Sequence, residues 1–153
     1  MLGQSLGGVR PSLGAWIAYT PTVTQSGAVT SFTSNTSRYQ QWGKIVVAVG
    51  RIAINNAGGA TAANDVTVTL PVPAQAGSSQ YAGTGAIFDS SASVIYGAQL
   101  RIGVGIINFQ TVHANGSGSG LSTAGATNLG SLDFTAALAG SDFVDFFVVY
   151  EAA

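Results

Sequence analysis

From Lys44 to Asn56 the chain reads KIVVAVGRIAINN, and apolar residues fall on both alternations. Ile45, Val47 and Val49 point one way along a strand, and Val46, Ala48 and Gly50 the other. A strand apolar on both faces is expected to be buried on both. Arg51 interrupts the run, and Ile52 and Ile54 share a face beyond it. Residues 38–42 predict a preceding strand, with Gly43-Lys44 as the turn between the two. Val66, Val68 and Leu70 alternate with Thr67 and Thr69, a half-buried strand that stops at Pro71. Residues 81–88, 93–96 and 100–109 predict three more. In the last of these Leu100, Ile102, Val104, Ile106 and Asn108 share one face, and Arg101, Gly103, Gly105 and Ile107 the other. Its two glycines mark a close approach or a bend. Leu132 and Phe134 suggest a short strand. The chain closes on DFVDFFVVYE, residues 142–151, where Phe143, Phe146 and Phe147 occupy both faces, so at least one face must meet another sheet or another subunit.

Between these strands the punctuation is turn chemistry. Trp16, Tyr19 and Val23 lie in an extended segment bent at Pro21. Gly27, the Asn35-Thr36-Ser37 triplet and the Asn55-Asn56…Gly58-Gly59 cluster read as turns and loops. Residues 114–130, opened by GSGSG, show no periodicity and read as a long loop. No segment carries a capped helical stripe. The pattern predicts an all-β fold of about eight to ten strands: an antiparallel, jelly-roll-like β-sandwich over residues 14–153, preceded by an extended arm over residues 1–13.

Composition sharpens this picture. Charged residues make up 7% of the 153, against a typical ~25%. The net charge is −1, which supplies no field for nucleic acid or an anionic membrane. A surface this poor in charge favours association, and a homo-oligomer, a trimer, is the expected state. Cysteine is absent, which removes disulfides and thiol chemistry. The longest apolar run is half the roughly 20 residues of a membrane span, and the first fifteen residues have no basic start and apolar core of an export signal. The expectation is a protein made in the cytoplasm without export, and without membrane insertion.

Candidate chemistry is thin. His113 is the one histidine. A Ser-His-Asp set would draw on it with Asp89 or Asp133, but no G-x-S-x-G elbow is present. Asp142 and Asp145, three apart on a strand, fall on opposite faces, which suits surface charges better than a carboxylate pair for glycoside hydrolysis. Asp65 with Asn64, near Asn55 and Asn56, is the best calcium candidate, and an Asx turn explains it as well. GTGA at Gly83 and GSGSG at Gly116 precede no helix and are not phosphate loops. Trp16, Trp42, Tyr39, Tyr81 and Tyr96 are candidate sugar platforms, although most aromatics of a small sandwich are core. The sequence predicts no catalytic, cofactor or metal site, and no enzyme.

The spacing of certain residues is specific. Trp16-Ile-Ala-Tyr19-Thr20-Pro21-Thr22 is followed by Ser37-Arg38-Tyr39, then Gly43-Lys44-Ile45-Val46, then Leu70-Pro71, and finally Tyr150-Glu151. This series resembles a β-sandwich module found at the C-terminal end of tailed-bacteriophage virion proteins of the tail-fibre and tail-tip type. That pattern reads W-x-x-Y-T-P-T, G-R-Y, G-K-x-V, L-P and Y-E, and here Ser37 stands in place of the first glycine. The resemblance covers roughly residues 14–153 and implies a framework of Trp16, Tyr19, Pro21, Arg38, Tyr39, Gly43 and Lys44, and a place on the virion exterior. Two jobs follow. One is a trimeric tail-associated module that touches the host surface, with a cell-surface glycan as candidate partner. The other is a capsid decoration protein that cements the head shell by binding the major capsid protein. The arm's Leu2, Leu6, Val9 and Leu13, with Arg10 to pair with a carboxylate, and the strand residues Phe143, Phe146 and Phe147 are the expected assembly contacts.

Overall fold

The computed structural model describes residues 14–25, 28–29, 31–56, 58, 60, 65–76, 80–103, 105–111 and 137–153. The arm with Leu2, Leu6, Val9, Arg10 and Leu13, the 114–130 loop, His113, Asn64, Leu132, Asp133 and Phe134 lie outside the described residues. The described part is all-β. Its strands are β1 (Ile17–Ala18), β2 (Val23–Gln25), β3 (Ala28–Val29), β4 (Ser31–Asn35), β5 (Arg38–Trp42), β6 (Ile45–Asn56), β7 (Val66–Thr69), β8 (Gln80–Asp89), β9 (Val94–Ile102), β10 (Ile106–Thr111) and β11 (Phe143–Glu151). They form one antiparallel sheet in the order β1-β5-β6-β11-β8-β9-β10-β7-β2-β3. β4 shares the edge of β6 with β5. It pairs Asn35 with Ile52, while β5 pairs Arg38 with Val49.

Chain length forces this sheet to curl. β1 and β2 stand eight strand spacings apart in the order, about 38 Å if the sheet were flat. Only five residue steps join Ala18 to Val23, a reach of about 18 Å at most. The sheet therefore bends into a half-barrel, and residues 19–22 tie its two ends together. The Tyr19 amide donates to the Ser37 carbonyl (3.1 Å) at one end. At the other, the Thr22 amide donates to Thr69 Oγ1 (2.8 Å) and the Thr69 amide to the Thr22 carbonyl (3.0 Å). Gln25, buried on β2, accepts the Leu138 amide through Oε1 at 2.8 Å.

The concave face holds the core. Val46, Ala48, Ile52 and Ile54 of β6 face Val144, Phe146, Val148 and Tyr150 of β11, Ile87 of β8, Leu100 and Ile102 of β9, Ile107 and Phe109 of β10, and Val66 and Val68 of β7. Phe146 sits directly between Gly50 of β6 and Gly85 of β8. A Cβ at either glycine would press on an aromatic ring at 2.8 Å, that of Phe146 for Gly50 and that of Phe109 for Gly85. β6 thus lacks a side chain where the Phe146 ring lies, and β8 lacks one where the Phe109 ring lies.

Two strand expectations change. Residues 93–96 and 100–109 are not separate strands: β9 runs continuously through residue 102, and the chain then reverses so that Ile107 pairs with Ile102. The bend lies at residues 103–105, with Gly105 at φ 82°, so the glycines mark a hairpin and not a strand interior. The second change concerns β6. Its inner face is buried, but its other face is not: Ile45 is 47% exposed and Val47 and Val49 are half-buried. No layer within the described residues covers that side.

Candidate functional site

The residues of the recurring motif gather at one end of the sheet. Arg38 and Tyr39 lie on β5, and Gly43 takes φ 58° at the first central position of the two-residue β5–β6 hairpin, where a II′ turn places glycine. Lys44 beside it approaches Glu151 at 4.0 Å with both side chains exposed. Tyr19 packs edge-on against Tyr39, ring centroids 5.9 Å apart. Burial raises the Tyr19 phenol well above its ordinary value, and the nearby Tyr150 adds to this. Tyr150 donates to the Val72 carbonyl at 2.8 Å, and burial pushes its phenol up to about 12. Pro21 is buried. Trp16, in contrast, is 43% exposed. Its ring carries the Arg38 guanidinium at 5.0 Å, a cation–π contact.

The acids divide between two roles. Asp142 is buried and works as a three-way cap. It accepts from the Ser90 amide (2.8 Å), the Ser90 hydroxyl (2.9 Å) and the Ala139 amide (2.8 Å), tying the β8–β9 turn to the entry of β11. It is therefore not the surface charge its spacing suggested. Asp89 accepts from the Ser91 hydroxyl (2.6 Å) and the Ser91 and Ala92 amides (2.9 and 3.1 Å). The Ser91 hydroxyl above all holds its carboxyl below the usual range. Asp145 faces the opposite way, as its three-residue offset from Asp142 requires. It receives Arg51 Nε and Nη2 at 2.7 and 2.6 Å, a bidentate pair made possible by the direct register of the two residues across β6 and β11.

Of the candidate calcium residues, Asn64 lies outside the described residues, and Asn56 is engaged locally. Asn56 Oδ1 accepts the Gly58 amide at 3.0 Å, an Asx turn, and among the described residues no three acidic or histidine side chains come together. Asn35 is likewise engaged locally. Its Oδ1 accepts the Ser37 amide at 2.9 Å and its Nδ2 donates to the Tyr19 carbonyl at 2.9 Å.

What remains is the convex face. At the hairpin end it presents Trp42, Ile45, Val47 and Val149, with Ile45 and Val149 47% and 41% exposed. Further along β11, Phe147 is 48% exposed. At the far end Phe143 stacks on Phe88 at 4.7 Å, and Ile95 on β9 is 65% exposed. Midway lies a depression of about 490 Å³ walled by Arg38, Arg51, Asp145, Thr84, Val49 and Phe147. The Arg51–Asp145 pair forms its polar wall, and Arg51 also lies over the Phe143 ring at 4.5 Å. Val49 and Phe147, direct partners across β6 and β11, form the apolar wall. Arg51 and Asp145 each break an apolar run at an outward position, which is a legible signal once β6 is paired with β11. Thr84 gives no signal in the sequence, since it joins the depression only through the β8–β11 register.

No protein-family model matches the chain, no curated protein matches it, and no solved structure matches it.

Proposed function

We propose that the chain is a non-enzymatic structural protein of the exterior of a tailed-phage virion, a jelly-roll β-sandwich that works as a homotrimer in a tail-associated, host-surface adhesion module. The observation that carries the reading is the convex face. A chain with 7% charged residues leaves Ile45 and Val149 47% and 41% exposed at the hairpin end of one side of its sheet, beside the half-buried Val47. Exposed apolar patches of this kind mark interaction surfaces, and a second copy is the partner most simply supplied. The motif series from Trp16 to Glu151 supports the virion assignment. The link through residues 19–22, which carries the chain from one end of the curled sheet to the other, supports the sandwich reading.

Capsid decoration is the second reading, and one observation favours it. Gly14, where the 1–13 arm joins the fold, is held by Gln40 Nε2 at 2.5 Å beside β1, the outermost strand of that side of the sheet. Among the described residues β1 thus ends the sheet on that side, with an edge to which a strand of a neighbouring molecule can add. Purified protein mixed with phage-free host cells and with undecorated capsids separates the two. Binding to cells alone rejects decoration, and binding to capsids alone rejects adhesion. A stable monomer at micromolar concentration in sedimentation overturns the trimer.

A further inference from the structure

We infer that the depression between β5, β6, β11 and β8 is a binding site for an acidic saccharide, a glycan segment bearing a uronic or sialic acid carboxylate. This rests on the adhesion reading and names its ligand class. Its volume of about 490 Å³ lies within the usual range of small-ligand sites, roughly 300–1,000 Å³. Its two walls match the two chemistries of a pyranose ring. Val49 and the exposed Phe147 ring offer an apolar surface to the C–H face of a sugar.

Opposite them, the Arg51–Asp145 pair offers donors and acceptors side by side. Asp145 uses one interaction of each oxygen on Arg51, and a carboxylate carries about four lone-pair sites. Vicinal hydroxyls can therefore donate to Asp145 while accepting from Arg51. Thr84, exposed on the rim, adds a hydroxyl.

Charge selects the acid. Two guanidiniums and one carboxylate line the depression. Arg51 is committed to Asp145, whereas Arg38 forms no ion pair among the described residues and is steadied by the Trp16 ring. A protein with five Lys and Arg in total keeps one of them stacked in place, without a carboxylate, at the edge of this depression. A planar, pre-positioned guanidinium favours bidentate capture of a carboxylate. The apolar residues at the hairpin end, Trp42, Ile45, Val47 and Val149, lie to one side, so assembly through them leaves the depression open.

The test is titration of the full-length protein, by calorimetry and by chemical-shift perturbation, with trigalacturonate, a hyaluronan tetrasaccharide and sialyllactose, against maltotriose and lactose. At least one acidic probe is expected to bind more tightly than the neutral ones. Arg38→Gln should weaken that binding about tenfold, the usual weight of a charge-assisted hydrogen bond, while Arg101→Gln, an exposed cation on β9, leaves it unchanged. Asp145→Asn should weaken neutral probes, which lose a hydroxyl acceptor, more than acidic ones, for which a repulsion is removed and Arg51 is released. Equal binding of acidic and neutral probes, no binding of any probe at millimolar concentration, or equal losses in Arg38→Gln and Arg101→Gln each overturn the proposal. The adhesion reading fails separately. If Arg38→Gln adheres to host cells as well as the unaltered protein does, adhesion stands and this site falls. If oligosaccharides bind through Arg38 but cells are not bound, the site stands and adhesion falls.

Discussion

Single residues hold the turns of this fold, and their costs are calculable. Gly43 sits at φ 58° with nothing near its α-carbon to obstruct a side chain, so the whole penalty of Gly43→Val is backbone strain. A β-branched residue in the left-handed region costs about 1–2 kcal/mol, readable as a lowered urea midpoint. Unchanged stability with lost host binding would move the hairpin from framework to ligand contact. Asp142 is the larger risk. Asp142→Ala removes a 1% exposed acceptor from three donors, the Ser90 amide and hydroxyl and the Ala139 amide, and only the Ser90 hydroxyl keeps a second acceptor, the Gly140 carbonyl at 3.4 Å. Unsatisfied buried donors and lost bonds to a charged acceptor each cost about 1–3 kcal/mol, so a loss near 3 kcal/mol is expected from denaturant unfolding. Asp142→Asn, which keeps one acceptor oxygen, should fall between. The spacing of Asp142 and Asp145 correctly implied opposite faces. It did not tell which face was buried, because that depends on what β8 and its turn bring alongside.

Elements were legible where their pattern is self-contained. The 38–42 strand, the Gly43-Lys44 turn, the long strand after it and the closing aromatic strand all follow from alternation and punctuation, and all are found as β5, the hairpin, β6 and β11. The β9–β10 hairpin was not legible, because apolar alternation continues unbroken across Gly103 and Gly105 and only backbone geometry shows the reversal. Register decides more than pattern does. Phe146 and Phe147 are adjacent and chemically alike, yet one is 3% exposed and the other 48%. Phe146 fills the room left by Gly50 on β6, and across β8 its partner Gly85 leaves room for Phe109. Phe146→Ala should therefore cost about 3–5 kcal/mol through the cavity it leaves, and Phe146→Asp should abolish folding by burying an unpaired carboxylate. Phe147→Ala, on the convex face, should leave the unfolding midpoint nearly unchanged. A similar loss in both alanine variants, measured by circular dichroism against urea, would show that the convex face is packed in the free chain.

At the scale of the whole molecule, the buried phenols of Tyr19 and Tyr150 set an alkaline limit. Their phenols titrate above the ordinary 10.0, Tyr150 at about 12. The unfolded chain therefore loses these protons first. The contribution to stability is intact below pH 10, declines as pH rises toward 12, and should appear as a falling urea midpoint over that window that is smaller in Tyr150→Phe. The proposed assembly belongs to the same scale. Apolar residues on both alternations of β6 and β11 implied two covered faces, and among the described residues only the concave face is covered. The convex side can be tested without touching the fold. Ile45→Glu and Val149→Glu place a carboxylate where the lone chain leaves 47% and 41% of the residue in water. In a free monomer such changes are worth about 0.5 kcal/mol or less. In a dry subunit interface each unpaired charge costs several times that, repeated in every copy. Both variants should keep the circular dichroism and urea midpoint of a folded chain while sedimenting as monomers. Variants that still sediment as trimers would place the contact elsewhere, and variants that unfold would mean that the exposed face belongs to the core after all.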